Sequence, residues 1–106
     1  MIFNIRCKGI TLQDKSHDYI EKKLTALKRY YQQNDVDSYQ TNVSIEQNTA
    51  KDGAEVYVEV RIAVGKKVFI AEEKASTVEE GIDLIHDKLK TQLQRYKEKM
   101  QDHHAE

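Results

Sequence analysis

Residues 55–64 read EVYVEVRIAV, and this strict alternation of apolar and polar side chains constrains the fold most strongly. A period of two is typical of a β-strand with one face in a core and the other exposed. The predicted inward side chains are Val56, Val58, Val60, Ile62 and Val64. A sheet that is apolar on one face only needs a single covering layer.

Three more stretches alternate in the same way, at residues 2–8, 39–47 and 67–74. A turn is predicted at residues 48–53, where Asp52-Gly53 is a strong hairpin signal, and Gly65-Lys66 predicts a second hairpin. The sequence therefore predicts four strands in an antiparallel sheet.

The strand pattern also assigns side chains to the two faces of the sheet. Cys7 is predicted to be a small core residue of the first strand rather than a reactive thiol. In the last strand Val68 and Ile70 are predicted to point inward. Tyr57 and Phe69 are then expected on the outer face.

Residues 14–31 and 82–100 are predicted to be helices, because apolar side chains recur there at a spacing of three or four. The first stripe consists of Ile20, Leu24, Leu27 and Tyr31, and the second of Ile82, Ile85, Leu89, Leu93, Tyr96 and Met100. Tyr30 is placed on the flank of the first helix. Each helix must bury its stripe against another element.

The starts of both helices carry capping signals. Thr11 or Asp14 can cap the first helix. Ser76 with Glu79, or Thr77 with Glu80, fits a capping box for the second.

The order of elements is thus β-α-β-β-β-α, an α+β fold with a four-stranded sheet and two helices packed on one face. Residues 1–100 are predicted to form one domain and residues 101–106 a flexible tail. One cysteine among 106 residues excludes an internal disulfide and fits a reducing cytoplasm. No apolar run approaches the roughly 20 residues of a membrane span, so no membrane association is expected.

The net charge of −1 hides an uneven distribution. Each predicted helix carries five basic and three acidic side chains, whereas residues 32–81 carry five basic and ten acidic ones. With the apolar stripes on the sheet, the basic rows are predicted to form one cationic surface suited to the phosphates of structured RNA. The predicted RNA-binding residues are Lys22, Lys23, Lys28, Arg29, Lys88, Lys90, Arg95, Lys97 and Lys99.

Signals for catalysis or cofactor binding are weak. Ser16, His17 and Asp18 are contiguous, and on a helix they point about 100° apart, so they cannot form a relay. His103 and His104 lie in the predicted tail and do not make a metal site. We therefore expect no enzyme, no cofactor, no metal and no small-molecule substrate.

Four stretches carry a resemblance to a known protein family: MIFNIRCKGI, DYIEKKLTALKRYY, VEVRIAVGKKVFIAEE and GIDLIHDKLKTQLQRYKEK. Together they resemble the ribosome hibernation-promoting factors, also called ribosome-associated inhibitor A or sigma-54 modulation proteins. The resemblance covers roughly residues 1–100.

This resemblance implies a fold similar to a double-stranded-RNA-binding domain. It also implies binding to ribosomal RNA in the messenger and transfer RNA channel of the small ribosomal subunit, which inhibits translation under stress. The basic positions that match the family pattern are Lys22, Lys23, Lys28, Lys88, Arg95 and Lys97. The chain looks like a short form without the second domain of longer members, and we expect a monomer when it is free.

Two alternatives remain open at this point. A general module for double-stranded RNA would prefer naked duplexes to ribosomes. A protein-interaction regulator would instead use the acidic outer face of the sheet.

Overall fold

The structure is a computed structural model, and it describes residues 2–31, 39–50 and 53–104. Its elements are β1 (Ile2–Lys8), α1 (Asp14–Thr25), α2 (Lys28–Tyr31), β2 (Tyr39–Ala50), β3 (Gly53–Val64), β4 (Lys67–Ala75) and α3 (Val78–His104). The predicted β-α-β-β-β-α order is confirmed, because α2 is a single turn that continues the path of α1.

The four strands form one sheet in the order β1-β2-β3-β4. β1 pairs with β2 in parallel, whereas β2–β3 and β3–β4 are antiparallel. The prediction of an antiparallel sheet is therefore wrong for β1, and the sheet is mixed. The physical reason is the connection: a helical crossover between β1 and β2 returns the chain to the same end before β2 starts.

The pairs at the strand ends fix the register of the last three strands. β2 and β3 extend to Ala50 and Gly53, which pair directly, so the turn is shorter than predicted; Asp52 lies outside the described residues. At the next hairpin Val64 pairs with Lys67, and Gly65 has φ of 60°. A glycine with positive φ in the first position of a two-residue loop matches the twist of the flanking strands.

That second hairpin reverses the predicted faces of β4. Phe69 lies directly opposite Ile62, so it shares the core face of β3 and is only 8% exposed. Val68 and Ile70 point to the outer face and are 52% and 44% exposed. The prediction that these two face inward, with Phe69 outside, is wrong, because cross-strand partners must lie on the same side of a sheet.

The first predicted helix is interrupted after Thr25. The amide of Leu27 donates to the carbonyl of Leu24 at 3.1 Å, and the amide of Tyr30 donates to the carbonyl of Leu27 at 3.1 Å. These bonds span three residues instead of four, which tightens the helix and rotates the following side chains. Tyr30, predicted on the flank, is consequently buried together with Tyr31.

The capping residues predicted from the sequence are confirmed for α3 and not for α1. The Thr77 hydroxyl accepts a hydrogen bond from the amide of Glu80 at 3.1 Å, which is the capping arrangement predicted for this pair. For α1 the prediction of Thr11 or Asp14 is wrong. Gln13 occupies the N-cap without a side-chain hydrogen bond, and Asp14 lies in the first turn, where the helix dipole favours its charge.

The core lies between the inner face of the sheet and the helices. Its fully buried side chains include Ile20, Leu24, Leu27, Ile62, Ile82, Ile85, Leu89 and Leu93. Cys7, predicted in the core, is exposed. β1 is an edge strand, and its inward residues Phe3 and Ile5 are themselves only partly buried.

α3 is longer than predicted. It continues through residues 101–104, the first part of the predicted tail, while residues 105 and 106 lie outside the described part of the chain. Within that part, no helix combines the length and apolarity that crossing a bilayer would require.

Candidate nucleic-acid interface

α1 and α3 lie side by side over the sheet, and polar side chains join them. The hydroxyl of Ser16 donates to Glu79 at 2.8 Å, and the hydroxyl of Tyr19 donates to Asp83 at 2.5 Å. The partners advance together along both helices, so the helices run parallel. Their apolar stripes face the sheet, and the remaining sides of the two helices carry the predicted cations.

Asp83 organises the charges between the helices. Lys23 Nζ lies 3.3 Å from Asp83 Oδ1, and its ammonium is 6.0 Å from the centre of the Tyr19 ring. The Tyr19 hydrogen bond, followed by Lys23, holds the pKa of Asp83 below its usual value, and the same hydrogen bond raises the pKa of Tyr19. Lys23 is therefore a structural contact as well as a predicted RNA contact.

One side of α3 faces the free edge of β4. Lys88 Nζ lies 2.5 Å from a carboxylate oxygen of Glu73 and donates to the carbonyl of Glu72 at 3.2 Å. Gln92 Nε2 donates to the carbonyl of Ile70 at 3.0 Å. Arg95 follows Lys88 by seven residues, which puts it on the same side of the helix.

The other side of α3 faces α1. Asp83, Lys90 and Lys97 follow one another at intervals of seven, so Lys90 and Lys97 share the side on which Asp83 meets α1. The two basic rows predicted from the sequence thus lie on opposite sides of α3. Lys97 is exposed, and Lys90 is partly buried.

Exposure and pairing separate the nine predicted residues. Lys22, Arg29, Lys88, Arg95, Lys97 and Lys99 are exposed, and Lys23, Lys28 and Lys90 are partly buried. Within the described residues, only Lys23 and Lys88 of these nine form ion pairs with carboxylates. Seven of the nine are therefore not neutralised by an acidic side chain of residues 2–31, 39–50 or 53–104.

Arg29 has a different kind of partner. Its guanidinium donates to the Tyr30 hydroxyl at 2.7 Å and lies 4.9 Å from the centre of that ring. This contact leaves the positive charge uncompensated while restricting the orientation of the side chain. A cation held in this way loses less conformational entropy when it meets an anion.

A cluster of metal-ligand residue types lies on the exposed side of α1, where Asp18 and Glu21 border the same hollow as Lys22. His17, Asp18 and Glu21 bring one ligand atom each within 4.8 Å of one another on α1. All three residues are exposed, and exposed groups lack the surrounding contacts that normally orient metal ligands. The cluster alone therefore does not make a metal site.

The sequence did not predict the acidic partners of Lys23 and Lys88. Asp83 and Glu73 restrain Lys23 and Lys88, and neither pairing is visible from helical spacing alone. Asp83 carries a weak signal, because it lies seven residues before Lys90 on the same side of α3. Glu73 carries none, since its position beside Lys88 depends on the register of β4.

Comparison with known proteins identifies the group to which this arrangement belongs. The sequence profile of the family described as sigma 54 modulation protein / S30EA ribosomal protein matches residues 3–101. The chain belongs to this family. Over 95 residues the S30EA-family chain is 35% identical to the ribosome hibernation promotion factor of Staphylococcus aureus strain COL, a match that covers 90% of the chain. It spans about half of that relative's length, 47%.

Two solved structures share the fold of the S30EA-family chain. The N-terminal domain of Thermus thermophilus Protein Y is 25% identical and superposes with a TM-score of 0.72, covering 90% of this chain and 97% of that one. A ribosomal subunit interface protein from Coxiella burnetii is 19% identical with a TM-score of 0.72, over 92% and 98% of the two chains. The second likeness concerns the fold alone, and both support the α+β architecture.

Proposed function

We propose that this S30EA-family protein is a hibernation factor that binds the small ribosomal subunit and inhibits translation. One structural observation carries the proposal: seven of the nine predicted RNA-binding residues have no carboxylate partner within the described chain. Family membership supplies the target, because the family is described as an S30EA ribosomal protein and a relative is named a ribosome hibernation promotion factor.

Unpaired, exposed cations suit ribosomal RNA for a physical reason. A lysine or arginine that neutralises a phosphate releases condensed counterions, and no internal ion pair has to be broken first. RNA helices are recognised mainly by shape and backbone, which demands rows of cations rather than base-reading side chains. In this proposal the primary contacts are Lys22, Lys28, Arg29, Lys90, Arg95, Lys97 and Lys99, while Lys23 and Lys88 contribute less.

We place the binding site in the messenger and transfer RNA channel of the small subunit. A protein lodged there would exclude both RNAs and keep the ribosome idle. Support comes from the family assignment and from the helix surface, whose two basic sides can meet RNA on both sides of α3 at once.

Co-sedimentation of the purified protein with small subunits, at several salt concentrations, tests this proposal. The decisive variant carries Arg95→Gln and Lys97→Gln, which remove one unpaired cation from each side of α3. Binding should weaken, and the slope of log affinity against log salt should fall by about one for each lost phosphate contact. Excess transfer RNA should displace the unmodified protein.

The matched control carries Lys8→Gln and Lys74→Gln, which remove the same charge from the exposed outer face of the sheet. It should bind like the unmodified protein. An equal loss of subunit binding in both variants would mean that only net charge matters, and it would reject the helix surface as the binding site. Tighter binding to a naked RNA duplex than to the subunit would replace the proposal with a general double-stranded-RNA module.

A further inference from the structure

The outer face of the sheet, opposite the helices, contains a trough of about 690 Å³. Its floor is β2, where Gln40, Asn42 and Ser44 present uncharged polar side chains. Charged side chains line it on either side, from Arg6 of β1 and from Glu59 and Arg61 of β3. None of the described helices packs on this face, because they cover the other one.

Two arginines form the walls of the trough. Arg6 of β1 pairs with Ser44, and Arg61 of β3 pairs with Asn42. The two arginines therefore lie on opposite sides of β2, offset by two residues along the strands. Normal strand and residue spacings put their Cα atoms roughly 12 Å apart. Both side chains are exposed, and neither has an acidic partner within 4.0 Å in the described part of the chain.

The trough also contains hydrogen-bond acceptors. Glu59 lines it on β3, directly opposite Glu72 of β4. The Asn4 amide donates to the Asn42 side-chain oxygen at 3.2 Å, and each amide keeps further donor and acceptor capacity. A ligand that satisfies this site must therefore offer acceptors to the arginines and donors to Glu59.

We propose that this trough binds an extended acidic segment of a partner protein. Carboxylates in the segment would accept hydrogen bonds from Arg6 and Arg61, whose planar guanidinium groups favour carboxylates. Its backbone amides would supply the donors for Glu59 and the acceptors for the asparagine side chains. An extended chain presents alternate side chains on one face about 7 Å apart, so acidic residues four positions apart span the two arginines.

Single-stranded nucleic acid fits less well. Such ligands are held by aromatic side chains on which bases stack, and no aromatic residue lines the described trough. Tyr57, the nearest aromatic residue on this face along β3, is engaged through its hydroxyl by Glu72.

The trough and the helix surface lie on opposite sides of the sheet, so peptide binding at the trough would be a function separate from ribosome binding. A protein held to RNA through its helices would keep the trough open. The partner would then be recruited to the bound protein without competing for the RNA contacts.

Fluorescence anisotropy with two labelled ten-residue peptides tests the proposal, one alternating Glu-Ser and one alternating Gln-Ser. The Glu-Ser peptide should bind at least about tenfold more tightly, as expected for hydrogen bonds between charged groups. Arg6→Gln and Arg61→Gln should each weaken that binding, and the double variant should remove the preference. Equal binding of the two peptides, or an unaffected double variant, would overturn the proposal.

Two further arms separate this proposal from the other readings. Arg95→Gln with Lys97→Gln should keep the preference for the Glu-Ser peptide and bind small subunits more weakly. Arg6→Gln with Arg61→Gln should remove the preference and still co-sediment with small subunits, which also shows that this variant is folded. If a ten-nucleotide oligouridylate bound more tightly than the Glu-Ser peptide through Arg6 and Arg61, the site would be a nucleic-acid site and the peptide proposal would fail.

Discussion

Lys88 reaches from α3 to the edge of the sheet, where its ammonium lies 2.5 Å from the carboxylate of Glu73. The same ammonium donates to the carbonyl of Glu72, and Gln92 donates to that of Ile70 one turn along the helix. Two carbonyls on the open side of β4 are thereby satisfied. An exposed strand edge is a template for unwanted pairing with another chain, so Lys88 protects the edge as well as carrying charge.

Removing this protection should promote self-association. The variant Lys88→Ala with Gln92→Ala frees both carbonyls, and its outer β4 side chains Val68 and Ile70 are already exposed. We expect concentration-dependent oligomers in light scattering coupled to size-exclusion chromatography. Lys90→Ala with Gln94→Ala changes the same residue types on the same helix away from the β4 edge. If that control associates equally, edge protection is not the cause.

The strand elements could be predicted from alternation because a half-buried strand imposes a period of two. The face of β4 could not, because both of its faces carry large apolar residues. Val68 and Ile70 are stronger strand formers than Ala71, which favours them as the core-facing residues of β4. The prediction based on them assigned the wrong face of β4 to the core. The two-residue loop at Gly65 determines the register of β4, and in that register Phe69 lies opposite Ile62.

That register leads to unequal costs for neighbouring substitutions. Ile70→Thr should change the free energy of unfolding by less than about 0.5 kcal/mol, since an exposed position loses little. Phe69→Ala should cost about 3–5 kcal/mol, because it removes a buried ring that also packs edge-on against Tyr96, with centroids 5.3 Å apart. Denaturant unfolding of the two variants measures this, and a larger cost for Ile70→Thr would contradict the register.

The RNA-binding residues stay a prediction, and helical spacing gives their rows along α3 without giving their ion pairs. Helical spacing places Lys88 and Arg95 in one row and Lys90 and Lys97 in another, as the structure has them. It cannot tell which cations meet a carboxylate, because those partners come from other elements. Spacing also assumes an unbroken helix, and the tighter turn after Thr25 moves Tyr30 from the flank into the core.

Asp83 should make stability depend on acid pH. Its pKa lies below the ordinary value of 3.8, mainly because Tyr19 donates to the ionised form. The stabilisation is therefore complete above about pH 4 and is lost as pH falls through the lowered pKa. For a pair this exposed we expect about 0.2–1 kcal/mol. Asp83→Asn should unfold with a flatter pH dependence below pH 4, measured by thermal melting.

Tyr19→Phe provides the companion measurement. It removes the largest cause of the lowered Asp83 pKa and leaves Lys23 in place. Its acid dependence should fall between those of the unmodified protein and Asp83→Asn. If both variants kept the full dependence, other carboxylates would be responsible for the acid response.

Gly81 allows α3 to approach the sheet closely. A Cβ atom at this position would lie 2.9 Å from Val58 Cγ2 and 3.6 Å from the Cβ of Ala75. Gly81→Ala should therefore destabilise the protein by about 1–3 kcal/mol through overpacking, partly offset by about 1 kcal/mol from the better helix propensity of alanine. The decisive comparison is made in a Val58→Ala background, where the obstructing methyl group is absent. There Gly81→Ala should become neutral or stabilising in denaturant unfolding, and an unchanged penalty would show that the clash does not limit the approach.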